Sequence, residues 1–271
     1  MDERHLPGEG PVRLGPVTLP SGRLITIYGR KDPVAWVTVD PVPKSSQAWT
    51  DLSALHAETG MIPIQVGGNV NSTRRPLDLL QPEDPREADS IDVGTLLGDL
   101  WRDWVSWPAE DDPDEPERRR PFTKEFPGLA APEHVILTQG ERQQALSVIL
   151  PRIRQAHAET PEAHIGLVVA ARPADVLAVI GWGGLANRGE SLLPLTAVLR
   201  SWEDRFGARL IDVGFADLRL LVERPPRTLE AAQYVAAEHV VLADECVDGL
   251  RDLPHTAARL VDNPIWTFWW D

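Results

Sequence analysis

Cysteine is nearly absent from this chain: Cys246 is the only one in 271 residues. No internal disulfide can form, which points to a reducing, cytoplasmic setting. Lysine is almost as scarce, with Lys31, Lys44 and Lys124 the only ones among 27 basic residues. Phosphate backbones are held by clustered cationic charge, so a net charge of −14 argues against nucleic acid as a partner. Long apolar runs are missing too. The longest, residues 165–171 and 174–180, fall far short of the roughly 20 residues that span a bilayer, and no membrane segment is expected. The first ten residues carry Asp2, Glu3 and Glu9 with no apolar stretch, against a secretory leader. The 7 histidines include no His-x-His or His-x-x-x-His pair, so with a single cysteine no preformed zinc site is expected.

What the chain does have is apolar residues and tryptophan. At 42% hydrophobic and 25% charged it can bury a core, as one large or two ordinary domains. Its 10 tryptophans against 2 tyrosines gather as Trp101, Trp104 and Trp107 and as Trp266, Trp269 and Trp270. A chain end that finishes Trp266-Thr267-Phe268-Trp269-Trp270-Asp271 is expected to be tied down as a docked strand or a functional surface, because exposed indoles would be sticky. Residues 81–132 hold 14 acidic against 6 basic residues, more than half of the net charge.

Local pattern predicts strands at residues 23–28, 34–39, 61–66, 134–137, 165–171, 210–214 and 218–222. In the last of these Leu218, Leu220 and Val222 alternate with Arg219, as in a half-buried hairpin. Helices are expected from Ser45 or Ser46 to near Gly60, along Leu96–Trp104, over 141–157 with a break at Pro151, from Pro173 to Ile180, along Leu192–Phe206 ending at Gly207, from a Thr228 cap, and over 250–260. The stretch 108–121, proline-punctuated and charged, has linker composition. The resulting expectation is an α+β protein of two lobes, with mixed or antiparallel sheets and packed helices: an N-terminal lobe over 1–107, an acidic Pro-rich linker over 108–132 and a C-terminal domain over 133–271.

Several ungapped words then stand in order: Arg172-Pro173-Ala174-Asp175, Ile180-Gly181-Trp182, Val198 through Ala208, Arg224-Pro225-Pro226, Ala236-Ala237-Glu238-His239 and Phe268-Trp269-Trp270-Asp271. Over about residues 162–271 the chain resembles the bacterial family called domain of unknown function 4253 (DUF4253). Thr59-Gly60 and Phe126-Pro127-Gly128-Leu129 look like the region that precedes this domain in actinobacterial proteins. The resemblance implies a cytoplasmic α+β protein and no established activity.

Candidate chemistry is thin. Gly181-x-Gly183-x-x-Ala186 fits a relaxed dinucleotide pattern, but a helix ends on these glycines where the pattern needs one to begin, so they are read as a C-cap and turn and no cofactor is expected. Asp244 through Asp252 resembles a calcium loop in its glycine alone, with Cys246 at a ligand position. Glu238 and His239 are neighbours on one helix and point apart, with His239 in the apolar stripe, which favours a core histidine. Arg200 and Asp204, one turn apart, are expected to pair on the helix surface. No nucleophile with a base is recognisable.

The expectation is therefore an acidic, non-catalytic binding or regulatory module with a protein partner, possibly basic in charge. Its binding surface is drawn from Trp182, Asn187, Arg200, Trp202, Arg205, Trp266, Trp269, Trp270 and Asp271, around a cleft between the lobes rimmed by tryptophan and acid. The alternative is a small-molecule enzyme using that cleft, with Glu203, Asp204, Glu238 and His239 as acid and base and Arg205 as anchor. A toxin-neutralising partner is a third reading, from acidity alone.

Overall fold

The computed structural model describes residues 5–27, 29–66, 80–106, 115–156, 163–243, 245–246 and 252–270. Nine strands lie in it: β1 Gly10–Leu14, β2 Val17–Thr26, β3 Pro33–Thr38, β4 Met61–Val66, β5 His164–Val169, β6 Ala208–Val213, β7 Asp217–Val222, β8 Glu245–Cys246 and β9 Ile265–Trp269. The helices are α1 Ser45–Ser53, α2 His56–Thr59, α3 Val93–Ser106, α4 Glu115–Arg118, α5 Gln139–Gln144, α6 Leu150–Ala156, α7 Val176–Ile180, α8 Leu193–Phe206, α9 Leu229–Leu242 and α10 Leu253–Leu260.

The strands form one mixed sheet in the order β1-β2-β3-β5-β4-β6-β7-β9-β8. All neighbours are antiparallel except β4 and β6. The α+β class stands, but the sheet runs straight across the expected division into lobes, since β4 from the N-terminal part lies between β5 and β6.

Alternation along the strands builds two cores. Ala35, Val37, Ile62, Ile64, Val66, Leu218, Leu220, Trp266 and Phe268 face helices α3, α7, α8, α9 and α10. Trp36, Met61, Ile165, Leu167, Leu221 and Ile265, from the opposite face, meet α1 and α6. The aromatic end of the chain is a docked strand: β9 pairs with β7 and β8, and Trp266, Phe268 and Trp270 are buried. Each such side chain contributes about 1.5–3 kcal/mol by leaving water.

Four local expectations need correcting. Arg219 does not face solvent: it is fully buried on the face of Leu221, where its guanidinium and that of Arg154 both bond Asp212, at 2.5 and 2.6 Å. Residues 134–137 form no strand, and Val135 and Ile136 are exposed. Neither Ser45 nor Ser46 caps α1. Its N-cap is Lys44, in the left-handed conformation, and the Ser45 hydroxyl instead donates to Gln65 Oε1 at 3.1 Å. Pro151 does not break its helix, because a π segment, Ala145–Ile149, joins α5 to α6 and absorbs the hydrogen bond a proline cannot make.

Candidate functional site

Helix α8 arises from the apolar spacing of Leu195, Leu199, Trp202 and Phe206, all buried, and ends at Gly207 with φ +64°. That spacing directs Glu203 and Asp204 away from the core, beside the segment that leaves β5. There Arg172 takes both: its Nη2 lies 2.6 Å from Asp204 Oδ1 and its Nε 3.4 Å from Glu203 Oε1. Glu203 also accepts the Ala174 N–H at 3.2 Å, and its burial raises the carboxyl pKa above the usual range. Arg200 does not pair with Asp204. It bonds Asp175 at 2.6 Å and Asp89 at 2.5 Å, tying α8 to neighbouring turns.

Glu203 and Arg172 form one wall of a cleft of about 340 Å³. Its floor is a fork in the sheet. Strands β4 and β6 pair only at Gln65 with Asp212 and Val66 with Val213, so their first halves diverge. Ile62 and Pro63 line one side of the fork, Arg209 and Leu210 the other. Pro63 has no N–H to offer a neighbouring strand, which suits it to this unpaired edge. Trp49, Ser53, Ala54 and His56, from α1 and α2, close the opposite wall. His56 Nε2 stands 3.1 Å from the Ala170 carbonyl. A carbonyl only accepts, so that nitrogen carries the proton and Nδ1 is left as an acceptor.

The other residues expected at a site are elsewhere. Glu238 is fully buried, accepting from Trp202 Nε1 (2.7 Å), the Ala130 N–H (2.7 Å) and both terminal nitrogens of Arg205 (2.7 Å each). His239 lies among Trp202, Trp266 and Phe268, with ring centroids 4.6–4.9 Å away, and neither ring nitrogen has a partner. Burial, helped by the Arg205 charge, pushes its pKa down to about 3. The tryptophans proposed for a binding surface serve the interior instead. Trp182 donates to the Gly214 carbonyl and Trp270 to that of Leu242, both at 3.0 Å; Trp202 and Trp266 are wholly enclosed, and Trp269 is half-buried. The Asn187 side chain, Asp271 and most of the 244–252 loop lie outside the described residues, as do Trp107 and residues 108–114 of the linker.

So of the anticipated catalytic set only Glu203 lines the cleft, while Asp204 pairs with Arg172. The tryptophan in the opposite wall, Trp49, belongs to neither cluster singled out in the sequence. Arg209 and His56 carry no local signal. They meet only because β4 and β6, distant in sequence, become neighbours. Among the described residues no group of three histidine, cysteine or acidic side chains could hold a metal ion, and no helix is long and apolar enough to cross a membrane.

Fold and site together define an α+β protein with a single mixed sheet between helical layers and a small polar cleft at the sheet's fork. Residues 164–271 match a family described as a domain of unknown function, DUF4253, and the chain carries that domain there. Arg172, Glu203 and Arg209 lie inside it, while Trp49, His56 and Pro63 come from outside, so the domain supplies half of the cleft. No curated protein and no solved structure matches the chain.

Proposed function

We propose that the protein is a non-catalytic binding module and that it holds a small ligand in the cleft at the β4–β6 fork. The observation that carries this is the lining of the cleft: Trp49, His56, Arg172, Glu203 and Arg209 bring polar groups together beside Ile62, Pro63 and Leu210, at about 340 Å³, the lower end of the roughly 300–1,000 Å³ usual for ligand sites. Recognition suits it better than turnover. Glu203 is held by Arg172 and a backbone N–H, and the hydroxyl of Ser53, the serine in the walls, donates to the Trp49 carbonyl at 2.7 Å. A regulatory role, in which a basic protein reads the ligand-bound state, belongs to the same proposal and is motivated by the net charge of −14.

The enzyme reading retains one support, the raised pKa of Glu203 in a cleft shared with His56. A ligand-observed NMR screen of small fragments separates the two. Ala54, exposed at the mouth, is replaced by tryptophan to plug the cleft. The expected result is a set of fragments that bind the native protein, lose binding to Ala54→Trp and are recovered unaltered. Chemical conversion of a bound fragment favours the enzyme, and an absence of plug-sensitive binding sinks the module.

A further inference from the structure

The uncommitted polar groups of the cleft are mostly donors. Trp49 is only 4% exposed, stands in the wall, and its indole N–H has no acceptor. A buried donor left without an acceptor has lost its bond to water and gained nothing in return, so an acceptor arriving there gains more than one arriving at a solvated group. Arg209, exposed on β6, makes no ion pair among the described residues. The acceptors, by contrast, are largely used. Glu203 takes the Ala174 N–H on Oε2 and faces Arg172 with Oε1, leaving His56 Nδ1 as the exception. Among these groups stand the apolar side chains of Ile62, Pro63, Pro173 and Leu210.

We propose that the cleft binds a small organic carboxylate, its apolar body against Ile62, Pro63 and Leu210 and its carboxylate oxygens taken by the Trp49 indole N–H and the Arg209 guanidinium. The inference rests on the cleft being a ligand site, and it names the chemistry that the site selects. A carboxylate brings two acceptor oxygens and a charge, matching one orphan donor and one uncompensated cation. An amine brings only donors, to a place that already has too many.

The test compares phenylacetate, phenethylamine and 2-phenylethanol, three probes with one apolar body, by saturation-transfer NMR on the full chain. Phenylacetate is expected to bind at least about tenfold more tightly than the other two. Arg209→Gln, at an exposed position, is expected to weaken phenylacetate about tenfold and to leave 2-phenylethanol unchanged. Trp49→Phe, which keeps the aromatic wall and removes the donor, weakens it by a smaller factor. Far-UV circular dichroism confirms that both variants are folded. If phenylacetate binds no better than phenethylamine, or is indifferent to Arg209→Gln, the carboxylate inference is overturned while the cleft survives as a binding site. If none of the three probes shows binding that Ala54→Trp removes, the cleft itself is lost as a site, and the inference with it.

Discussion

Glu238 shows how much of a residue's apparent chemistry can be spent on structure. Its two oxygens accept from Arg205, Trp202 and the Ala130 amide, so one carboxylate ties α9 to α8 and to the segment that crosses over them. Removing one member of a buried pair leaves the other charge uncompensated, and Glu238→Gln is expected to cost about 3–5 kcal/mol in denaturant unfolding. Next to it, His239 does the opposite: it is enclosed by aromatic rings with no hydrogen-bond partner on either nitrogen. In the unfolded chain its pKa is the ordinary 6.5, and in the folded protein it is about 3. Between those values the unfolded state binds the extra proton, so this group lowers stability as the pH falls from 6.5 towards 3 and has no effect above that window. His239→Leu removes the penalty. Stability plotted against pH is expected to be flatter in the variant over this window, by up to about 1.4 kcal/mol per pH unit, with the two curves parallel above pH 7. Parallel curves throughout would show that the histidine is not buried neutral.

At the scale of elements, β9 is a centrepiece and not a trailing end. It lies between β7 and β8, and Phe268 packs against Trp202, His239 and Trp270 at centroid distances of 5.2, 4.7 and 6.0 Å. Phe268→Ala is expected to cost about 3–5 kcal/mol, read from the denaturant midpoint, because the cavity is ringed by groups that cannot collapse into it. This strand was half legible in the sequence: four aromatics in six residues pointed to a docked strand or a functional surface, and pairing with β7 and β8 decides for the strand. β4, whose bounds are those predicted, and α8 with its glycine cap were legible, because spacing and end signals agreed there. Arg219 was not legible. Its alternation is that of a solvent-facing residue, and its burial is made tolerable by carboxylates, that of Asp212 on the partner strand and that of Asp217 on its own. The Arg200–Asp204 pair failed for a related reason: helix spacing permits it, but Asp175, Asp89 and Arg172 approach from other elements and take both charges. Glu203 could be picked out as a candidate from its helix face, whereas Trp49, His56 and Arg209 had nothing local to mark them.

At the scale of the whole molecule, the order of strands decides whether the two halves of the chain can stand alone. β5 follows the charged linker in sequence, yet both its neighbours, β3 and β4, precede that linker. β6, the first strand of the hairpin that pairs with the aromatic terminus, borders β4 as well. Residues 133–271 by themselves would carry β5 with both edges open and β6 with one. They would also lack Ile62, Ile64, Val66, Leu97 and Trp101 from the core that packs α8 and α9. Unpaired edges and exposed apolar faces favour association over folding. The intact protein is therefore expected to unfold in a single calorimetric transition, with van't Hoff and calorimetric enthalpies in agreement. A 133–271 fragment is expected to show no cooperative transition and to aggregate, while mixing it with a 1–132 fragment restores part of the native signal. A fragment that melted cooperatively by itself would make the DUF4253 domain an autonomous unit. The cleft at the β4–β6 fork would then be an interface between two separable bodies, and ligand occupancy would change with their association. With a single transition, the same cleft is a fixed feature of one sheet, and a ligand bound there stabilises the whole chain at once.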